Sequence, residues 1–497
     1  LVKDFGVDKV RKFASGKAKS TPTEPEAKSG AAGGSGATQP AREGRHMEND
    51  EINFEQVFKD LTGNEPLSWQ RRLYGAWIAR DVKSAIDLPT GLGKTMVMAI
   101  WLIARLRNPE LGRRLLYVVD RRTVVDQATD LARLLIARPV TKFMHDYYPE
   151  LPAISTLRCQ LADNREWSRD PSRPAIIIGT VDLIGSGLLF SGYRSGFKSK
   201  PLQAGLLGQD SLLLLDEAHL SKPFAKLITS ISSFQSDQGT PTKVICMSAT
   251  SAEGDTKPFK LDNSDLADPI IEERFTATKT LSITQTDDVV DSIAAATGKF
   301  ATDHPGSRIV IFVRTPKLVD DVRKALIKKN KSHETKIAML TGTMRGLERD
   351  ELVASPTDES QHERRVMQRF LKPDNDATQG ECFLICTSAG EVGFDLNADH
   401  MVCDAAPIDS MIQRLGRVNR RGKGKAAIHL ILAKELVDKS EIDKACAAAS
   451  KLFTDGINVS PQKLAAFKQS ITPEQLKAAS TPEPTMVDLT DIAMPPR

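Results

Sequence analysis

Cysteine is scarce, at 6 in 497 residues, and no two are spaced as C-x-x-C. That argues against a disulfide scaffold and a structural zinc site, and suggests a reducing, cytoplasmic setting. Aromatic residues make up only 5%, so extensive base stacking is not the expected mode of any nucleic-acid grip. No run of about 18 apolar residues occurs, so no membrane span is expected. No basic-then-apolar leader is visible, which argues against secretion. Charge of one sign is nearly absent as an excess. The net is +4, weak support at most for a polyanionic partner. What remains is an ordinary folded composition, 40% hydrophobic and 27% charged. The length suggests about three folded units, or two large ones with extensions.

The chain starts at Leu1 and reads as a fragment or a processed product. Residues 1–20 read as a short basic helix with Val7, Val10 and Phe13 as its apolar positions. From Ser20 to Arg45 the residues are mostly Gly, Ala, Ser, Thr, Pro and charges, and Ala31 to Gly36 cannot bury enough surface to fold. From about Asn53 short apolar runs alternate with helical stretches. The runs Leu115–Val119, Ala175–Ile178, Leu212–Leu215, Val244–Met247, Ile309–Val313, Cys382–Cys386 and His400–Cys403 are apolar enough for strands buried on both faces. The expected class is α/β, with parallel sheets flanked by crossover helices. Ligands in such sheets collect at the carboxyl ends of the strands.

Leu88-Pro89-Thr90-Gly91-Leu92-Gly93-Lys94-Thr95 precedes a helix expected over Met96–Arg107. Gly91 and Gly93 let backbone N–H groups converge on phosphate oxygens at a helix N-terminus. Lys94 is expected to neutralise the β- and γ-phosphates of ATP, and Thr95 to place its hydroxyl on Mg2+. Leu88 stands where the general pattern has glycine. Leu212–Leu215 then runs into Asp216-Glu217-Ala218-His219. Two carboxylates at the end of an apolar strand need a cation. Asp216 is expected to hold magnesium, directly or through water, and Glu217 to polarise the attacking water.

Asp-Glu-Ala-His after such a loop resembles the superfamily 2 DExH helicases, and further motifs follow in order. Ser248-Ala249-Thr250 is similar to the coupling motif. Thr387 and Gly393-Phe394-Asp395 match the motif before the arginine fingers, and Gln413 to Arg420 the finger motif itself. Trp69-Gln70 lies where these helicases place an adenine-reading glutamine. The stretches Glu391–Leu396, Asp404–Ser410 and Gln413–Gly422 are similar to the effector helicase of type I CRISPR systems, with Arg417-Val418-Asn419-Arg420 in place of the usual Arg-x-Gly-Arg.

The resemblance implies two tandem RecA-like domains. The expected division is 1–52 tail and linker, 53–275 first RecA-like domain, 276–435 second, and 436–497 a partial C-terminal helical region and tail. It implies Gln70, Thr90, Gly91, Gly93, Lys94, Thr95 and Asp395 at the nucleotide, and Gln413, Arg417 and Arg420 completing catalysis with Lys94, Asp216 and Glu217. Backbone contacts to DNA are expected at Arg121, Thr180, Arg314, Thr343 and Thr387, with Ser248 and Thr250 coupling the two sites. The implied partners are the displaced single strand of an R-loop, an RNA-guided surveillance complex and an HD nuclease, with translocation 3′ to 5′. His145-Asp146 is the one His-Asp dipeptide and reads as a surface loop, so the nuclease is expected in trans or on a segment beyond this chain. A DExH helicase of repair or RNA metabolism, and an ATP-dependent DNA-gripping scaffold, stay open as alternatives.

Overall fold

The apolar runs assemble into two parallel sheets. The computed structural model describes residues 52–137, 148, 150–157, 166–192, 196–235, 240–248, 257–358, 360–372, 380–434 and 440–482. The N-terminal tail, His145-Asp146, Thr250 and the last fifteen residues of the chain lie outside them. The first sheet comprises β1 (Ala85–Asp87), β2 (Arg114–Val119), β3 (Ala153–Leu157), β4 (Ala175–Thr180), β5 (Ser211–Leu215), β6 (Lys243–Ser248) and β7 (Phe259–Lys260). Its order is β3-β4-β2-β5-β6-β1-β7. Leu116 of β2 lies opposite Ile177 of β4 and Leu213 of β5, all three fully buried. Leu115, Tyr117 and Val119 pack into one core, Leu116 and Val118 into another on the opposite face. Burial on both faces is why these strands are apolar without alternation.

The second sheet comprises β8 (Lys279–Thr286), β9 (Arg308–Phe312), β10 (Ile337–Leu340), β11 (Cys382–Cys386), β12 (His400–Asp404) and β13 (Ala426–Ala433), ordered β10-β11-β9-β12-β13-β8. Its edge strand β8 does not end in solvent. Residues 455–459 run antiparallel beside it, with Leu281 N–H donating to Ile457 O (2.9 Å) and Val459 N–H to Lys279 O (2.8 Å). An edge so covered offers no free ladder to another chain. The helices Pro461–Ser470 and Pro473–Ala479 then fold back, burying Leu464 and Ala479 in the core of the second sheet. Among the described residues no helix is long and apolar enough to cross a membrane.

Two expectations change. The helix after the phosphate loop is shorter than Met96–Arg107, because Lys94–Met96 forms a 3₁₀ turn and the α-helix covers Val97–Ala104. The charged stretch 344–363, expected to be partly loop, contains a helix at Gly346–Val353 whose Leu352 reaches the core.

Candidate functional site

The carboxyl ends of β1 and β5 lie at the same end of the first sheet, on either side of β6, and the second lobe presents the finger helix Ile408–Leu415 to them. Gly91 (φ 89°) and Gly93 (φ 75°) turn the loop after β1 through the left-handed region. At Lys94 the loop ends in a buried ammonium, with Nζ 3.0 Å from Glu217 Oε1. The other Glu217 oxygen, Oε2, is buried with no hydrogen-bond partner, and His219 Nδ1 stands 3.6 Å away. Glu217 has φ 50°, a left-handed conformation uncommon for a long side chain and frequent where geometry serves a site. Burial alone raises the Glu217 carboxyl, but the Lys94 ammonium brings it below its ordinary value. Asp216 moves the other way: burial, then Glu217, raises it.

Asp216 is held by Tyr117, whose hydroxyl donates to Oδ2 at 2.6 Å, and its Oδ1 accepts from Glu217 N–H at 3.0 Å. Burial and then Asp216 raise the pKa of the Tyr117 hydroxyl, and the Thr95 side chain is near enough to lower it against them. A hydroxyl and a carboxylate fit a hard cation that keeps several waters and takes phosphate oxygens. Magnesium held there by Thr95 and Asp216 would offset charge on the nucleotide phosphates. No cluster of three or more His, Cys, Asp or Glu positioned for a metal occurs among the described residues.

His219 ties three motifs together. Gln413 Nε2 donates to its Nε2 at 2.8 Å, which leaves Nδ1 to donate to Ser248 Oγ at 3.1 Å. Burial holds this imidazole below its ordinary pKa, in keeping with the neutral form that arrangement requires. Leu88 N–H donates to Ser248 O, joining the same residue to the base of the phosphate loop. Gln70 is buried. Its Oε1 accepts from Leu67 N–H at 2.9 Å, and its Nε2 faces Gly93.

The opposite wall is in contact. A Cβ on Gly416 would press on Thr90 Oγ1, and one on Gly91 would lie 2.9 Å from Arg420 Cγ, so the lobes approach closely at these two glycines. Arg274 Nη1 donates to Gly91 O at 2.9 Å. Arg420 pairs with the exposed Asp395 at 2.7 Å, and Arg420, with other nearby arginines, keeps that carboxyl below its ordinary range. Arg417, expected at the nucleotide, is turned into its own lobe. Its Nε donates to Glu391 O at 2.8 Å and its Nη1 to Phe394 O. Burial, then Arg420, lowers it to about 10, and Glu217 is within its electrostatic range.

The expected DNA contacts divide. Arg121 donates across the cleft to Ser388 O. Beside it, Thr387 Oγ1 accepts from Gly342 N–H at 3.3 Å, and Thr343, exposed, bonds Thr341. These residues sit together on one side of the interface. Thr180 is buried at the end of β4. Arg314 is paired within the protein, with Asp443 holding its Nη1 at 2.7 Å and Asp404 3.7 Å from its Nε. Missed in the sequence were Tyr117 and Arg274, while His219 and Arg414 stood inside quoted motifs without a role of their own. Tyr117 carried a signal, being the only polar-tipped side chain in a run otherwise suited to full burial.

Residues 63–253 match the family model described as the res subunit of type III restriction enzymes. Residues 306–423 match the one described as the C-terminal part of the CRISPR-associated nuclease/helicase Cas3. A Myxococcus xanthus protein named for that nuclease/helicase is 52% identical over 46 residues, 9% of this chain and 6% of its own length. The fold is similar to that of the Mycobacterium smegmatis helicase Lhr bound to ssDNA and AMP-PNP (TM-score 0.50, 18% identity, 80% of this chain, 49% of that one). It is also similar to the helicase MrfA bound to DNA and AMPPNP (0.56, 15%, 85% and 56%). A solved CRISPR-associated protein aligns with TM-score 0.55 and 14% identity, over 88% of this chain and 53% of that one. The chain therefore spans about half the length of these solved relatives. Its two parallel sheets have the tandem RecA-like build, and the chain is similar to Cas3-like helicases of superfamily 2, an ATP-dependent enzyme class.

Proposed function

We propose that this chain is the ATP-driven motor of type I CRISPR interference, translocating 3′ to 5′ on the displaced strand of an R-loop after recruitment by an RNA-guided complex. One observation carries the motor reading. Beside the Lys94–Glu217 pair of the first lobe, Gln413 of the second bonds His219 and Arg420 lies on Gly91 of the phosphate loop, with Arg417 in electrostatic range of Glu217. A triphosphate entering between them competes with Glu217 for Lys94. Glu217, freed of its cation, then has both oxygens to orient and polarise a water. Arg420 already lies on the phosphate loop, where a guanidinium stabilises charge developing on the transferred phosphoryl, an effect worth roughly 10³–10⁵ in rate. Arg417 serves the same charge once it leaves the Glu391 and Phe394 carbonyls. Closure with ATP and opening after phosphate loss give two states, and unequal grip on DNA in the two states yields stepping.

The grip is assigned to Arg121, Thr343 and Thr387, which hold phosphates without reading bases. The CRISPR assignment draws support from the match over residues 306–423. The HD nuclease is assigned to a separate chain or segment. ATP turnover compared with single-stranded DNA, duplex and RNA tests the motor, and single-stranded DNA is expected to stimulate most. Lys94→Ala and Glu217→Gln should each abolish the stimulated turnover. Near-normal turnover in either variant would reject this catalytic assignment, and preference for RNA would favour a helicase of RNA metabolism. Turnover without strand displacement would leave only a DNA-gripping scaffold. Binding to a guide-loaded complex carrying an R-loop tests recruitment.

A further inference from the structure

Lys279 opens β8 with its side chain buried in the second lobe, 2% exposed. Its Nζ donates to Leu415 O at 2.9 Å. Leu415 is the last residue of the finger helix, where carbonyls lack partners within the helix and carry partial negative charge. No carboxylate forms an ion pair with Lys279 among the described residues, and the charge that acts on it, that of Arg420, has the same sign. Burial, then Arg420, lowers its pKa from 10.5 to about 7. An ammonium buried against one neutral carbonyl costs stability, and a methionine would fill much of the same space without that cost. Packing alone therefore gives no reason for a lysine here. A reason lies in what Leu415 O holds. It also accepts from Val418 N–H at 3.4 Å, which makes it the pivot of the turn from Gly416 to Arg420. Farther along, Asn419 N–H donates to Ala398 O at 2.7 Å and Arg420 N–H to Asn397 Oδ1 at 2.8 Å. The turn is thus held at its start by Lys279 and at its end by residues 397–398. Along it Gly416 approaches Thr90, and Arg420 lies on Gly91 of the phosphate loop. The backbone of Lys279 is itself clamped by the segment that covers β8: Val459 N–H donates to its O at 2.8 Å, and its N–H donates to Asn458 Oδ1 at 3.3 Å.

We propose that Lys279 is a positioning residue of the nucleotide site: its ammonium fixes the end of the finger helix, and with it the turn that sets Arg420 on the phosphate loop. This role rests on the ATP-site reading above and deepens it. Lys279 acts through Leu415 O and not on the nucleotide. Arg420 serves charge that develops only as the phosphoryl transfers, so a loosened turn costs turnover and leaves ATP binding as it was.

Steady-state ATP turnover of the full chain with single-stranded DNA, read beside its melting temperature, tests this. Lys279→Met is expected to lower kcat by about tenfold to a hundredfold, the scale of a misplaced catalytic group, with KM for ATP unchanged. Its melting temperature should be equal to that of the wild type or higher, because a buried charge is gone. A wild-type kcat overturns the proposal. So does a melting temperature that falls along with kcat, since that marks a role in the fold alone. A double-mutant cycle asks whether Lys279 acts through Arg420. In an Arg420→Ala background, Lys279→Met should cost at most about twofold more, and a larger further loss overturns the proposal. Should Lys279→Met not fold, Lys279→Gln is judged by the same readings. Lys94→Ala separates the two levels. If that variant keeps its turnover, the ATP-site reading itself fails. If it loses turnover while Lys279→Met keeps the wild-type kcat, only the role of Lys279 fails.

Discussion

Arg414 stands in the middle of the finger motif, yet its side chain never reaches the cleft. Its Nε donates to Glu391 Oε1 at 2.9 Å and its Nη1 to Asp404 Oδ1 at 3.1 Å, all three side chains nearly sealed from water. The guanidinium also lies over the Phe312 ring, 5.3 Å from its centroid. It anchors the finger helix to β9 and β12 and leaves Arg417 and Arg420 to move. Removing one member of such a set strands the others as buried charges, which costs about 3–5 kcal/mol. Arg414→Met is therefore expected to destabilise the second lobe by about that amount in urea unfolding. A loss near zero would mean that water reaches Glu391 and Asp404. Asn419 shows the same motif read at backbone level. It adopts φ 42°, in the left-handed region, at the position where related motifs usually carry glycine. Asn is the side chain that tolerates this conformation best after glycine, so the departure from Arg-x-Gly-Arg keeps the turn. Motif residues were legible because each carries its own chemistry. Arg274 was not, because it acts through a contact to Gly91, 183 residues away, that no local spacing encodes.

Strand legibility followed burial. β2, β4, β5, β11 and β12 are sealed on both faces and read as unbroken apolar runs. The runs missed were β1, β3, β7, β8, β10 and β13. β1 has three residues and β7 two, too few for any pattern. β8 is Lys279 to Thr286, mostly polar, and is half-exposed because only the segment 455–459 covers its outer edge. β13 and β12 meet at a histidine group that also escaped notice. His400 opens β12, stacks on His304 with ring centroids 4.1 Å apart, and accepts from Ala427 N–H through Nδ1 at 3.0 Å. Burial, then His304, lowers its pKa from 6.5 to about 4, with Asp399 opposing. The unfolded chain thus takes up this proton near 6.5 and the folded chain only near 4. Between those values stability falls as pH falls, and below them this group adds no further loss. His429 on β13 is lowered as well and acts in the same sense. The melting temperature should drop across that window, and His400→Gln, whose carboxamide oxygen can still accept from Ala427, should flatten part of the drop. An unchanged profile in the variant would show that the stacked pair does not set the acid limit.

At the scale of the whole molecule the two sheets act as one device only if contact between them reports ligand binding. The contact has two sides. At the nucleotide side Thr90 meets Gly416 and Gly91 meets Arg420. At the other, Arg121 reaches Ser388 next to Thr387, and Arg349 lies 3.9 Å from Asp126. Between them runs the relay from Gln413 through His219 to Ser248. A ligand that favours closure at one side must favour it at the other, and the coupling is reciprocal: AMP-PNP raises affinity for single-stranded DNA by the factor by which the DNA raises affinity for AMP-PNP. Such factors run to about 5–150-fold. Gly416 has no positive φ to protect, so a larger residue there strains no φ; its Cβ would press chiefly on Thr90 across the cleft, with Gln413 O of its own lobe at 3.2 Å. Gly416→Val should therefore leave the fold intact, as judged by its melting temperature, and bring the coupling factor down to about one. Each affinity measured with and without the other ligand closes the thermodynamic box and separates this from simple loss of binding. If the variant keeps the wild-type factor, closure at Thr90 is not what joins the nucleotide to the DNA, and coupling must pass through the His219 relay alone.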